Sequence, residues 1–203
     1  MDTVLLTGFA PFGDDTENPS QQVAEALDGR RYGSATIVAS VLPVEHGRAA
    51  DLLIDAIDRL RPSLVLATGL ASGRCGISLE RVALNAAHYP LPDSNGCRLQ
   101  HADLAVDGAL AYRSTLPLDR CYERLQAAGI PVEFSYSAGT YLCNEVFYAA
   151  LRHASAHDLP YRAGFIHMPY ASAYIARRGH LAPSLPVAML VEALGLIVQE
   201  CMQ

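Results

Sequence analysis

Short, near-continuous apolar runs alternate along this chain with stretches whose apolar residues recur every three or four positions. Val4-Leu5-Leu6-Thr7 is the first run, and after a loop rich in Gly, Pro and Phe a helix is predicted to open at Asn18-Pro19-Ser20, with Asn18 placed to cap it. Ala35 to Leu42 reads as the next strand, and residues 45–60 form a helix pattern with Leu53, Ile57 and Leu60 on one face. Residues 63–69 are again a strand, ending in Gly69. Strands without polar alternate positions need cover on both sides, so this order predicts an α/β fold with a parallel sheet between helices.

Further along, residues 78–86 look extended and Pro90 to Gly96 is a turn. Strands are predicted at 132–135 and 163–167, and helices near 119–128, over 144–155 and over 186–201. The segment 169–186, with Tyr170, Tyr174, Arg177 and Arg178, fits no regular pattern and reads as a mobile loop or a partner surface. No repeat, linker or low-complexity tract interrupts the order, and residues 1–203 are expected to form one domain.

Composition narrows the function classes. A net charge of −6 and only 15 dispersed Lys and Arg leave no basic stripe for nucleic acid. Met1-Asp2-Thr3 leads into an apolar strand without the basic start of a signal peptide, and the apolar stretch 187–198 is broken by Glu192 and too short to span a bilayer. A soluble, cytoplasmic protein without a membrane partner is expected. The five cysteines, at 75, 97, 121, 143 and 201, are an odd set without a Cys-x-x-Cys pair, which argues against a disulfide framework and a zinc knuckle. His153 and His157 have the spacing of a helical metal site, but no glutamate follows His153 and a helix end is expected at Asp158-Leu159-Pro160, so both read as solvated. No metal and no cofactor are expected.

Cys143 is the candidate for chemistry. In Ser137-Ala138-Gly139-Thr140-Tyr141-Leu142-Cys143-Asn144 a small glycine turn runs straight into an amphipathic helix. Unpaired amides and the positive dipole end at a helix start favour a thiolate and can cradle an oxyanion. Most cysteines are nevertheless small buried hydrophobes, so a base is needed. Gly164-Phe165-Ile166-His167 puts His167 at the carboxyl edge of the sheet, where ligands and catalytic groups gather, although a histidine there can equally bond a loop carbonyl. Glu80, in a half-buried alternating stretch, is either a carboxylate that orients the histidine or a surface partner of Arg74 or Arg81. The loop Thr7-Gly8-Phe9-Ala10-Pro11-Phe12-Gly13 presents two rings that can wall a flat uncharged ligand or simply lid the core, and it is no phosphate loop.

Together, Thr7 to Gly13 with Asn18-Pro19-Ser20, the segment Glu80-Arg81-Val82-Ala83-Leu84-Asn85, the string Ala138 to Asn144 and Gly164 to His167 resemble pyroglutamyl peptidase I over nearly the whole chain. The resemblance implies a cysteine peptidase on an open α/β/α sandwich with a mostly parallel twisted sheet, assembling as a homo-oligomer, a tetramer or dimer. It implies Cys143 as nucleophile, His167 as general base and acid, Glu80 as third member, and peptides with N-terminal pyroglutamate as substrates, cleaved through a thioester. By the same resemblance Phe9 and Phe12 sandwich the lactam ring, while Asn18 and groups near Leu70, Leu91, Tyr141 and Leu142 meet the rest of it. A lactam has no free amine, so an uncharged slot suits it. Two positions depart from the family pattern: Pro90 stands where many members have an arginine, and Leu70 where some have a glutamine. They leave open a thiol amidase of shifted acyl specificity and a catalytically silent homologue that keeps the slot.

Overall fold

The computed structural model describes residues 2–179 and 181–203. In chain order the elements are β1 (Asp2–Phe9), α1 (Pro19–Leu27), β2 (Arg31–Tyr32), β3 (Ala35–Leu42), α2 (Arg48–Leu60), β4 (Leu64–Leu70), β5 (Ile77–Glu80), β6 (Val82–Leu84), β7 (Ala111–Arg113), α3 (Leu118–Ala127), β8 (Val132–Ser135), α4 (Leu142–Ala156), β9 (Arg162–Met168), β10 (Tyr170–Ala171), α5 (Ser172–Arg178), β11 (Ser184–Leu185) and α6 (Val187–Cys201). Seven strands form one sheet in the order β2-β3-β1-β4-β9-β5-β8. The apolar strands β3, β1, β4 and β9 run parallel, as their lack of polar alternation requires. The sheet is nonetheless mixed, because β5 pairs antiparallel with β9 and the two-residue β2 antiparallel with β3.

Alternation along each strand divides the interior in two. Val4 and Leu6, Leu64 and Leu66, Ile77 and Leu79, and Ile166 and Met168 join α1, α3 and α6 in one apolar cluster. Leu5, Val65, Ala67, Ala163 and Phe165 point the other way and pack with α2 and α4. The strongly apolar α6 thus covers its own chain's sheet: Leu190, Leu194, Ile197 and Val198 are fully buried.

Local chemistry sets the element ends. Asn18 caps α1, its Oδ1 accepting from the Ser20 amide at 3.0 Å, and Pro19 stands at the first helical position where no amide is needed. α2 starts three residues later than the apolar pattern suggests, because Gly47 takes a positive φ of 73° that breaks the helix before Arg48. The stretch 78–86 is broken at Arg81, where the chain leaves the main sheet after β5 and β6 turns to pair with β7.

The segment 169–186 is not an irregular loop where it is described. It holds β10, α5 and β11, and α5 is clasped to the loop before α1. The Tyr170 and Tyr174 hydroxyls donate to Asp15 at 2.9 and 3.0 Å, Arg178 pairs with Asp15, and Arg177 with Glu17. His180, in the same segment, lies outside the described residues.

Candidate active site

Strand parity places the candidate residues before any side-chain detail is considered. His167 shares its face of β9 with Ala163 and Phe165, the face covered by α4. In the antiparallel β5–β9 pairing Glu80 lies opposite Phe165 and Ser78 opposite His167, so Glu80 is the diagonal neighbour of His167 on that face. Both are buried, Glu80 completely. His167 Nδ1 and Glu80 Oε1 are 2.8 Å apart, so Nδ1–H donates to the carboxylate and Nε2 is left for Cys143, which also acts on the charge of the ring. Burial is the largest influence on this imidazole and works against its charge, but Cys143 and Glu80 together outweigh it and raise His167 to about 9.

Cys143 is the second residue of α4, half-buried, following Tyr141, whose extended backbone begins the helix without a side-chain cap. The amides of this first turn have no carbonyl within the helix to bond. Asn144 fixes the start of α4. Its fully buried amide donates to the carbonyls of Leu84 at 2.8 Å and Ala86 at 3.0 Å and accepts from the Leu84 amide at 2.9 Å, stapling the helix to β6. Gly69 leaves room for the thiol: a Cβ there would stand 2.8 Å from Cys143 Sγ and 2.9 Å from the Phe165 ring.

Beside the thiol lies a cavity of about 110 Å³ lined by Phe9, Phe12, Asn18, Leu70, Tyr141, Leu142 and Cys143, joined by Val44, Asp15 and Glu17. It is smaller than a drug-sized site and matches one small ring. Seven of the sequence-derived residues line it, and two residues, Leu91 and Asn18, depart from the sequence reading in placement or role. Leu91 is 61% exposed and, like Pro90, is not among the lining residues. The side chain of Asn18 is spent on the chain itself, since Nδ2 donates to the Ala10 carbonyl at 3.2 Å and Oδ1 takes both the amide and the hydroxyl of Ser20.

The slot is also less uncharged than its phenylalanines suggest. Asp15 and Glu17 line it, but each is occupied by an arginine of α5. They were not legible in the sequence, because their partners lie about 160 residues away. Glu145, two residues beyond Cys143, was missed for the same reason. Its buried carboxylate accepts from the Tyr89 hydroxyl and the Gly47 amide, the latter at 2.7 Å, and meets His46 Nδ1 at 2.9 Å. Tyr89 stands edge-on to Tyr141, centroids 4.6 Å apart, and so backs one wall of the slot. Burial first, and then the Glu145 contact, push the Tyr89 hydroxyl strongly upward, so it stays a donor. His153, read from the sequence as solvated, lies in the last turn of α4 and pairs with Asp58 at 3.1 Å.

A family model described as pyroglutamyl peptidase matches residues 2–203. The chain is 37% identical over 203 residues to the pyrrolidone-carboxylate peptidase of Pyrococcus furiosus, covering 98% of each. It is 43% identical over 199 residues to that of Cupriavidus taiwanensis, covering 98% of this chain and 92% of the relative. A solved structure of a mutant pyrrolidone carboxyl peptidase from the hyperthermophile P. furiosus superposes with a TM-score of 0.95 at 36% identity, covering 98% of both chains. This chain belongs to the pyroglutamyl peptidase family.

Proposed function

We propose that the chain removes N-terminal pyroglutamate from peptides, with Cys143 as nucleophile, His167 as general base and acid, and Glu80 as the carboxylate that holds His167. The family membership supports the peptidase activity. The residue roles rest on one observation: the buried Glu80–His167–Cys143 chain opens on a small slot walled by Phe9, Phe12, Leu70 and Leu142.

Cys143 Sγ attacks the pyroglutamyl carbonyl carbon while its proton rests on His167 Nε2, where the raised imidazole holds it. The carbonyl oxygen, now an oxyanion, sits against the free amides at the start of α4. As the carbonyl re-forms, the C–N bond breaks and the imidazolium gives its proton to the departing amine. Water then attacks the thioester and gives a proton to His167 Nε2, the C–S bond breaks to restore the Cys143–His167 pair, and free pyroglutamate leaves. Glu80 keeps the proton on Nδ1 throughout, so Nε2 always faces the thiol. The slot accepts a lactam because it offers apolar walls and main-chain groups, while its two carboxylates are already paired and attract no free amine.

Release of a chromogenic amine from a pyroglutamyl amide tests the assignment. Cys143→Ala is expected to lose at least about a thousandfold in kcat; turnover near wild type removes Cys143 from the mechanism. A prolyl amide, lacking the ring carbonyl, should be a poor substrate because it leaves slot amides unpaired. The free cysteines and the need for a reduced Cys143 support a reducing compartment, the cytoplasm, as the working site. Assembly as a homo-oligomer belongs to the same proposal and is read directly by sedimentation.

A further inference from the structure

Glu80 carries a demand that His167 alone does not meet. The carboxylate is fully buried, its Oε1 takes the histidine, and its Oε2 has no hydrogen-bond partner among the described residues. A buried carboxylate stays ionised only beside a positive charge. His167 is that charge while it holds two protons, and ceases to be once it has given one to the leaving amine. The cation that remains is Arg74, from the loop between β4 and β5, whose Nη2 lies 3.3 Å from the same Oε1. Arg81, the nearer residue in sequence, turns to the other face of β5 and stacks on Phe134 at 4.6 Å.

Arg74 is itself held. Its Nη1 donates to Glu133 Oε1 at 3.0 Å and its Nη2 to the Ser137 carbonyl at 3.3 Å, and the Ser78 hydroxyl, on β5, donates to the same Glu133 oxygen at 2.7 Å. Register brings these groups together, since Ser78 lies opposite Glu133 on β8 and opposite His167 on β9. Groups of opposite sign therefore alternate from the exposed Glu133 through Arg74 to the fully buried Glu80 and on to His167, which meets Cys143 at the slot.

We infer that Arg74, clamped by Glu133, is a positioning residue that shares Glu80 Oε1 with His167 and holds the carboxylate in place, and so sets how readily His167 releases its proton. The inference rests on the triad reading above. The titratable or charged groups facing the Glu80–His167 pair are Cys143 from α4, Arg74 from the β4–β5 loop and, through Arg74, Glu133 from β8.

Without Arg74 the full attraction of Glu80 falls on the imidazolium, which then holds its proton to higher pH and donates it more reluctantly. Arg74→Met is thus expected to lower kcat about tenfold, the scale of one charge-assisted contact, to leave KM nearly unchanged, and to move the basic limb of the kcat/KM profile upward. Glu133→Gln, at a rim position, should give a smaller change of the same sign. In a Glu80→Gln background Arg74→Met should cost almost nothing further, because the arginine acts through that carboxylate. Thermal melts identify a variant that has simply lost its fold, and Glu133→Gln keeps the question answerable in that event. Unmoved pH limbs in both variants, or an undiminished Arg74→Met loss in the Glu80→Gln background, overturn the inference. Those outcomes leave the triad standing, whereas an active Cys143→Ala enzyme removes the triad itself.

Discussion

His167 sits between opposing influences, and their balance fixes two measurable quantities. Burial favours the neutral ring, Cys143 and Glu80 favour the charged one, and the latter win, raising the group from 6.5 to about 9. The folded chain therefore holds this proton more tightly than the unfolded chain does. Its contribution to stability is complete below about 6.5 and is lost as pH rises through about 9. Urea unfolding of wild type and His167→Asn across that range should show a stability gap that closes at the alkaline end, while kcat/KM of wild type falls along the same limb. A gap that widens with pH would show that His167 is not the proton-binding group. Gly69 is the second residue whose consequence is sharp. Its φ is ordinary, so the constraint is purely steric, and a methyl group there meets Cys143 Sγ at 2.8 Å. Gly69→Ala should lower kcat/KM at least about tenfold while costing about 1–3 kcal/mol in stability, the usual range for overpacking; both are read from one purified variant by kinetics and denaturant titration.

At the level of elements, α4 and α5 show what a sequence pattern reveals and what it hides. The start of α4 was expected at Asn144 and lies at Leu142, so Cys143 is inside the first turn rather than just ahead of it. The side chain of Asn144 serves the neighbouring strand rather than its own helix start, bonding across to Leu84 of β6. Asn144→Ala should therefore leave backbone groups of Leu84 and Ala86 unpaired, cost about 1–3 kcal/mol and slow Cys143 alkylation by loosening its helix. An unaltered alkylation rate in a destabilised variant would confine Asn144 to folding. The α5 segment gave no readable pattern because seven residues hold too few turns for one, and its support comes from Asp15 and Glu17 far away in the chain. Those carboxylates belong to the loop that carries Phe12 to the slot. The double variant Arg177→Ala with Arg178→Ala removes two ion pairs each worth up to about 1 kcal/mol, so KM should rise roughly threefold to tenfold with kcat little changed. Equal KM values would detach α5 from substrate binding.

Across the whole molecule, the site is a product of strand alternation in a sheet with helices on both faces. In the pairing of 77–80 with 162–168, parity puts Glu80 and His167 on one face of the sheet, the face α4 covers, whereas the sequence pointed to these residues only through the resemblance of four short blocks. The antiparallel direction of β5 was not legible, since the alternation of Ile77, Ser78, Leu79 and Glu80 assigns faces and says nothing of direction, and that direction is what brings Arg74 and Glu133 to Glu80. Two clusters separated by the sheet also separate stability from catalysis. Leu194 of α6 is fully buried in the cluster with α1 and α3, away from the thiol. Val146 of α4 is equally buried in the other cluster, one turn beyond Cys143 on the same helix. Leu194→Ala should cost about 2–5 kcal/mol, because close packing leaves a cavity that relaxes only in part. Its kcat/KM, measured well below the melting range, should stay within about twofold of wild type, since no group facing Cys143, His167 or Glu80 has moved. Val146→Ala removes less volume and should destabilise less, yet it lets α4 settle toward the sheet and carries Cys143 with it, so its kcat/KM should fall more than that of Leu194→Ala. If the two variants lose activity in proportion to their stability, the sheet does not insulate the site and the two clusters respond as one core.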